Sequence, residues 1–208
     1  MSSDGADVPV SLADEQRDLA RGRIVRAARR VLADRGLATT VEDVADAAGV
    51  SRRTVFRHFS TRENLFAVAI RDGLRTYGEH LPPARGEDLD TWLLDVLLAA
   101  HRLNAGNGRI YWELSVLEPE LAGELAAAAA ERREARKQWA AGVTKVLWRA
   151  RGGSGRPPAW LVDAVAVHLS AFTTQSLAVD FDRSPDEVAR VSARVLDAAL
   201  TAALTERG

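Results

Sequence analysis

Residues 40–63 read TVEDVADAAGVSRRTVFRHFSTRE, and the fold of the chain turns on this stretch. Thr40 and Asp43 stand three apart, the spacing of a capping box, in which each side chain satisfies the other residue's backbone N–H at a helix start. Val41, Val44, Ala45 and Ala48 then recur at three and four, giving a short helix one apolar face. Gly49 accepts the left-handed conformation that ends a helix, and Ser51 is placed to cap the next. That next helix, Arg52–His58, turns Val55 and then Phe59 inward and carries Arg52, Arg53 and Arg57 outward. Ser60 and Glu63 form a further capping box, so a third helix is expected at once. A short helix with three arginines and no acid, set behind a glycine turn, has the form of the reading helix of a helix-turn-helix. An ordinary helical hairpin with a solvated basic face shows the same local pattern, so the surrounding chain has to separate the two.

The whole chain has 208 residues, 47% of them hydrophobic and only 6% aromatic, with Ala, Leu, Arg and Glu prominent. This composition favours an all-α fold with one large or two small cores. Every 18-residue apolar window carries charge, so no membrane span is expected, and the acidic start MSSDGADVPVSLADEQ has no apolar signal core. The lack of cysteine removes disulfide frameworks, thiolate zinc sites and cysteine nucleophiles together. A soluble, cytoplasmic protein without metal or cofactor is the expectation. The net charge of −1 conceals a division: from Arg17 to Arg62 eleven arginines face five acids, a net +6 that leaves −7 for the remainder. A small basic head on an acidic body is the electrostatic footprint of a nucleic-acid-binding chain.

Upstream, residues 1–16 read as a flexible tail and Arg17–Arg35 as a helix, with Ile24, Ala27, Ala28, Val31 and Leu32 on one stripe and Gly36 as its C-cap. Arg26, Arg29 and Arg30 lie off that stripe as a solvated face, while Arg17, Arg21 and Arg23 stand nearer the N-terminal end, from where such side chains can reach a phosphate or a minor groove. With a longer helix over about 62–79 following directly, RIVRAARRVLADRGLATTVEDVADAAGVSRRTVFRHFSTRENLFAVAI resembles the N-terminal domain of the tetracycline-repressor (TetR/AcrR) family of transcriptional regulators. The likeness runs without a gap from about Arg21 to Ile70 and includes the Ala48-Gly49-Val50-Ser51 turn and Thr54 through Phe59. It implies a three-helix helix-turn-helix head (17–64) and a C-terminal helical bundle (80–208) for ligand binding and dimerisation, about nine helices in all. It also implies that Arg52, Arg53 and Phe56 face base edges, with arginine suited to guanine. Thr40, Ser51, Thr54, Arg57, His58 and Arg62 fall on phosphate, Arg57 being open to either role. Phe56 departs from the tyrosine common in the family and keeps stacking, or a thymine-methyl contact, without the hydroxyl.

The body is less legible. Leu81-Pro82-Pro83-Ala84-Arg85-Gly86 breaks the fourth helix. Helices are expected over about 88–104, 109–117, 119–150, 158–180 and 185–205, the long one carrying Glu131, Arg132, Arg133, Glu134, Arg136 and Lys137 on its outer face. The glycine-rich loop at 152–155 lacks the lysine and hydroxyl of a phosphate-binding loop. Trp112, Trp139, His101, His168, Phe172 and Gln175 are the candidate pocket residues, each also compatible with ordinary core packing. His58, His80, His101 and His168 show no metal-ligand spacing, and no HExxH or GxSxG is present, which disfavours an enzyme. The function expected is a homodimeric repressor, paired through its last two helices, that a small-molecule effector releases from a palindromic operator on double-stranded DNA. A DNA-binding dimer without an effector is the alternative.

Overall fold

The computed structural model describes residues 11–84, 88–117 and 120–206, which form α-helices joined by short turns, with no strand among them. The head comprises α1 (Leu12–Arg35), α2 (Val41–Ala48) and α3 (Arg52–His58), and α4 (Arg62–His80) leads out of it. The body comprises α5 (Leu89–Gly106), α6 (Gly108–Val116), α7 (Gly123–Ala150), α8 (Ala159–His168), α9 (Ala171–Phe181) and α10 (Pro185–Thr205). The fold class is therefore all-α with an N-terminal helix-turn-helix. No described helix is long and apolar enough to cross a membrane.

Four boundaries differ from the sequence expectation, each for a local reason. The first helix begins at Leu12, because Ser11 caps it by accepting from the Asp14 N–H at 3.2 Å; residues 1–10 lie outside the described residues. Thr61, not Ser60, caps α4, accepting from the Asn64 N–H at 3.0 Å. The long helix α7 starts at Gly123, and Pro119 lies outside the described residues. The helix expected over 158–180 is two, because the Ser170 hydroxyl caps α9 by accepting from the Thr173 N–H and itself donates to the Val167 carbonyl. A side chain that offers the backbone this alternative competes with helix continuation.

Packing binds head to body. Within the head, Ile24, Ala28, Val44, Val55, Phe59 and Leu65 are buried together on a small core. α1 packs on α2, α4 and α6, α4 runs along α7, and α5 lies against α10. Arg29 is not solvated as expected: it donates to Asp72 and Thr76 on α4, each at 2.9 Å, and fastens α1 to α4.

Candidate nucleic-acid interface and body cavity

The turn between α2 and α3 is built as the sequence implies. Thr40 and Asp43 complete the capping box, the Thr40 N–H donating to the Asp43 carboxylate at 2.8 Å and the Asp43 N–H to the Thr40 hydroxyl at 3.1 Å. These bonds from Thr40, with the Arg35 charge, hold the Asp43 carboxyl below the usual carboxylate range. Gly49 adopts φ 62° and ψ 42°, and the Val50 and Gly49 N–H groups close the helix end on Ala45 O and Asp46 O. This pair of bonds is a Schellman motif, which a residue with a Cβ enters only with strain. Ser51 then caps α3, accepting from the Thr54 N–H at 3.1 Å, and its hydroxyl lies 3.0 Å from that of Thr54.

α3 presents two rows of side chains. Arg53 and Arg57 are exposed and make no hydrogen bond or ion pair with any described residue. Arg52 lies over the Phe56 ring, 5.3 Å from its centroid, and pairs with Glu42 at 2.8 Å. Phe56 is 40% exposed, an unusual position for a phenylalanine unless something covers it. The Arg52–Glu42 pair is solvated on both sides, so exchanging it for another partner costs about 1 kcal/mol or less. Val55 and Phe59, on the opposite side, are sealed in the head core.

Two of the expected phosphate contacts are not free at the surface: Arg62 is engaged within the head and the His58 Nε2 is buried. The Arg62 Nε donates to the Thr39 carbonyl at 3.0 Å and its NH2 group to the Leu37 carbonyl, while the guanidinium lies 4.4 Å over the Phe66 ring. It therefore clasps the α1–α2 turn to the start of α4. The His58 Nε2 is buried without a partner, and burial, then the charges of Arg57, Arg17 and Arg21, lower its pKa from the ordinary histidine value. Thr40, Ser51 and Arg57 are exposed, and Thr54 is half-buried. Arg21 lies 5.1 Å over the Phe59 ring, so the early turns of α1 add their charge beside the end of α3.

In the body, a cavity of about 30 Å³ lies among α4, α6, α7 and α9, walled by Leu74, Tyr77, Tyr111, Arg132, Arg136 and Trp139 among others. Of the six pocket candidates from sequence, Trp139 alone is in this wall, stacked on Tyr77 at 4.7 Å. Trp112 and Phe172 instead stack on each other at 5.2 Å, with Phe172 exposed, and Gln175 is also exposed. His101 is fully buried between Thr174 (2.8 Å) and Ser192 (3.3 Å), and Ser192 is shared with His168 at 3.1 Å. Burial first, then the nearby His168, pulls the His101 pKa down to about 4, as befits a neutral core imidazole.

Two features escaped the sequence. Glu113 on α6 is buried, and its carboxylate accepts from the Leu37 N–H and from Arg109. Gly36, at φ 60° and ψ −146°, makes room for it, since a Cβ there would overlap the carboxylate. The peptide links of Leu37 are thus gripped twice, by α6 through Glu113 and by α4 through Arg62. Arg132, expected on the outer face of α7, is buried, and Arg136 is half-buried beside it. Their spacing held the signal: they fall on the stripe of Leu125, Ala128, Ala129, Ala140 and Val143.

Residues 24–69 match the family of bacterial regulatory proteins described as the tetR family. The HTH-type transcriptional repressor KstR2 of Mycolicibacterium smegmatis is 36% identical over 75 residues, covering 36% of this chain and 33% of that protein. The HTH-type transcriptional regulator TtgR of Pseudomonas putida is 37% identical over 71 residues, covering 34% of this chain and 33% of that protein. The matched stretch thus spans about a third of the length of either relative. In three dimensions the fold resembles a tetR-family regulator from Streptomyces coelicolor (TM-score 0.68, 20% identity, 89% of this chain and 81% of the other). It also resembles the regulator FadR from Bacillus subtilis, solved in complex with stearoyl-CoA (TM-score 0.62, 15% identity, 85% and 95%). At these identities the structural likeness speaks for the fold.

Proposed function

We propose that this chain, whose residues 24–69 match the tetR family of bacterial regulatory proteins, is a homodimeric, DNA-binding transcriptional repressor that a small-molecule effector releases from its operator. The observation that carries this reading is α3. Behind a left-handed glycine turn, it holds Arg52, Arg53, Phe56 and Arg57 exposed while Val55 and Phe59 anchor it. Arg53 and Phe56 would meet base edges, Arg52 joining them on leaving Glu42. Thr40, Ser51, Thr54 and Arg57 would hold phosphate, with the start of α4 at Arg62 beside them.

A reading helix of this length covers one half-site, so a second copy is needed for a palindrome. Half-site centres would then lie about 34–36 Å apart or a multiple of that distance. The surface offers a face for such pairing. Val167 on α8, Phe172, Val179 and Phe181 on α9, and Val191 and Val195 on α10 are exposed large apolar side chains concentrated on the last three helices. Val179 and Phe181 are 68% and 61% exposed. Such concentration on one part of a chain marks an association surface. The expected site of action is the cytoplasm, where the DNA is.

Release follows from the connections of α4 and α6. Leu74 and Tyr77 on α4 and Tyr111 on α6 wall the cavity, while Arg62 and Glu113 on the same two helices grip the Leu37 turn of the head. A ligand that favours a widened cavity would shift both helices and the heads with them. A hundredfold loss of operator affinity needs about 2.8 kcal/mol of coupling. One observation favours a dimer without an effector: about 30 Å³ holds only one or two waters. Selection from a random-sequence DNA library tests the DNA reading; an enriched inverted repeat is expected, and no enrichment would overturn it. Measuring affinity for the selected site across a metabolite library then separates the responsive regulator from the unresponsive one.

A further inference from the structure

Charge interrupts the buried stripe of α7. Arg132 is 6% exposed and Arg136 half-buried one turn later, yet no carboxylate among the described residues forms an ion pair with either. The acids nearby are engaged elsewhere: Glu131 pairs with Arg71 at 2.8 Å, Asp72 with Arg29 and Arg75, and Glu113 with Arg109. Arg132 donates only to neutral oxygens, those of the Tyr111 carbonyl and the Ser115 hydroxyl, each at 3.3 Å, and lies 4.8 Å over the Tyr111 ring. Burial, then the Arg136 charge, pulls the Arg132 pKa down to about 10, and burial lowers that of Arg136 as well.

A buried cation without a counter-ion is a desolvation cost that a packed apolar side chain would avoid. Here one buried and one half-buried cation share the wall of a cavity whose lining also includes apolar or flat surfaces: Leu74, Leu169 and the Tyr77–Trp139 stack. We propose that this cavity takes an organic anion with an apolar or aromatic body, its carboxylate or phosphate oxygens held between Arg132 and Arg136 and its body against Trp139 and Tyr77. This assignment rests on the effector reading above and names the chemistry of that effector. Guanidinium groups suit either head group through paired N–H donors. Because the cavity is small, the anion enters only by moving its walls. Occupancy and the displacement of α4 and α6 are then one event, driven by the charge that the closed form leaves unneutralised.

Titration calorimetry on the full chain with 2-naphthoate, 2-naphthyl phosphate and uncharged 2-naphthamide tests the site. At least one anion is expected to bind tenfold or more tightly than the amide, and the tighter of the two identifies the head group. The preference should vanish in Arg132→Met and Arg136→Met, whose thermal midpoints should equal or exceed that of the parent chain. It should persist in Arg132→Lys, which keeps the charge. Equal affinities for anions and amide, no binding of either anion at millimolar concentration, or a preference that survives both methionine variants would overturn the proposal. Purely structural arginines would instead lower the midpoints of the methionine variants. DNA release is scored separately: an anion that binds without changing affinity for the selected DNA keeps the site and removes the effector reading.

Discussion

On α3 the arginines point out to solvent with Phe56 among them while Val55 points in; on α7 two arginines lie inside the apolar stripe, and on α9 and α10 phenylalanine and valine face out. Apart from Phe56, α3 keeps the ordinary sorting of side chains, which suits the polyanionic partner proposed above, met in water by exposed cations. The body breaks that sorting twice. Each breach leaves something uncompensated in the single chain, buried charge in one place and exposed apolar surface in the other. An anionic ligand would compensate the first and a second copy of the chain the second, as proposed above.

The contrast breaks most visibly at the apolar face. Val191→Glu with Val195→Glu should leave the single chain as stable as before, since both sites are already exposed. It should yield a 22.5 kDa species in sedimentation at micromolar concentration and cost more than a hundredfold in operator affinity, about 2.8 kcal/mol or more. A dimer that persists would place the pairing surface elsewhere.

Where head and body join, Gly36→Ala puts a Cβ against the Glu113 carboxylate at a backbone conformation reserved for glycine. A loss of about 2–3 kcal/mol is expected in urea unfolding. An unchanged midpoint would mean that the Glu113–Leu37 link is not needed. On the head alone, Arg53→Ala should relax preference at one operator position by about 1–3 kcal/mol while leaving stability unchanged. Identical selected sequences would remove it from the base-reading set.

In the body, His101 should make stability sensitive to acid. Its pKa of about 4 in the fold lies below the unfolded value of about 6.5, so the unfolded chain takes up a proton first. Stability should be level above about pH 6.5 and fall by about 1.4 kcal/mol per unit from there toward 4. His168, lowered by burial, steepens the same slope. His101→Gln should flatten it, and a slope that survives would assign the effect to other groups.

The smallest expected effect separates two roles of Arg62. Arg62→Ala should cost about 1–2 kcal/mol of stability through its lost bonds to Thr39 and Leu37. If it also touches phosphate, the salt slope of DNA binding falls by about 0.9; a stability loss with an unaltered slope leaves it as a clasp only.

How far each region could be foreseen follows from the range of its interactions. The capping box at Thr40, the turn at Gly49 and the cap at Ser51 involve partners three to five residues apart, so their spacing in the chain is enough. Thr61 displaced Ser60 as a cap, and Ser170 split a helix expected to be continuous, because neighbouring hydroxyls compete for the same N–H groups and only the chain path chooses. Arg29 and Arg132 read as solvated from the sequence, but their partners lie on helices 17 to 47 residues away along the chain.

The sequence by itself determined an all-helical chain, a basic head with its short arginine-bearing helix at 52–58, and the residues that α3 turns outward, since helical periodicity and end-capping are local. Only the tertiary structure decided that Arg62 clasps the Leu37 turn, that Glu113 reaches it from α6, and that Arg132 and Arg136 enclose a cavity with Trp139. Burial is a property of what packs above a residue. For a long charged side chain in an apolar stripe, that neighbour is set by the crossing of distant helices.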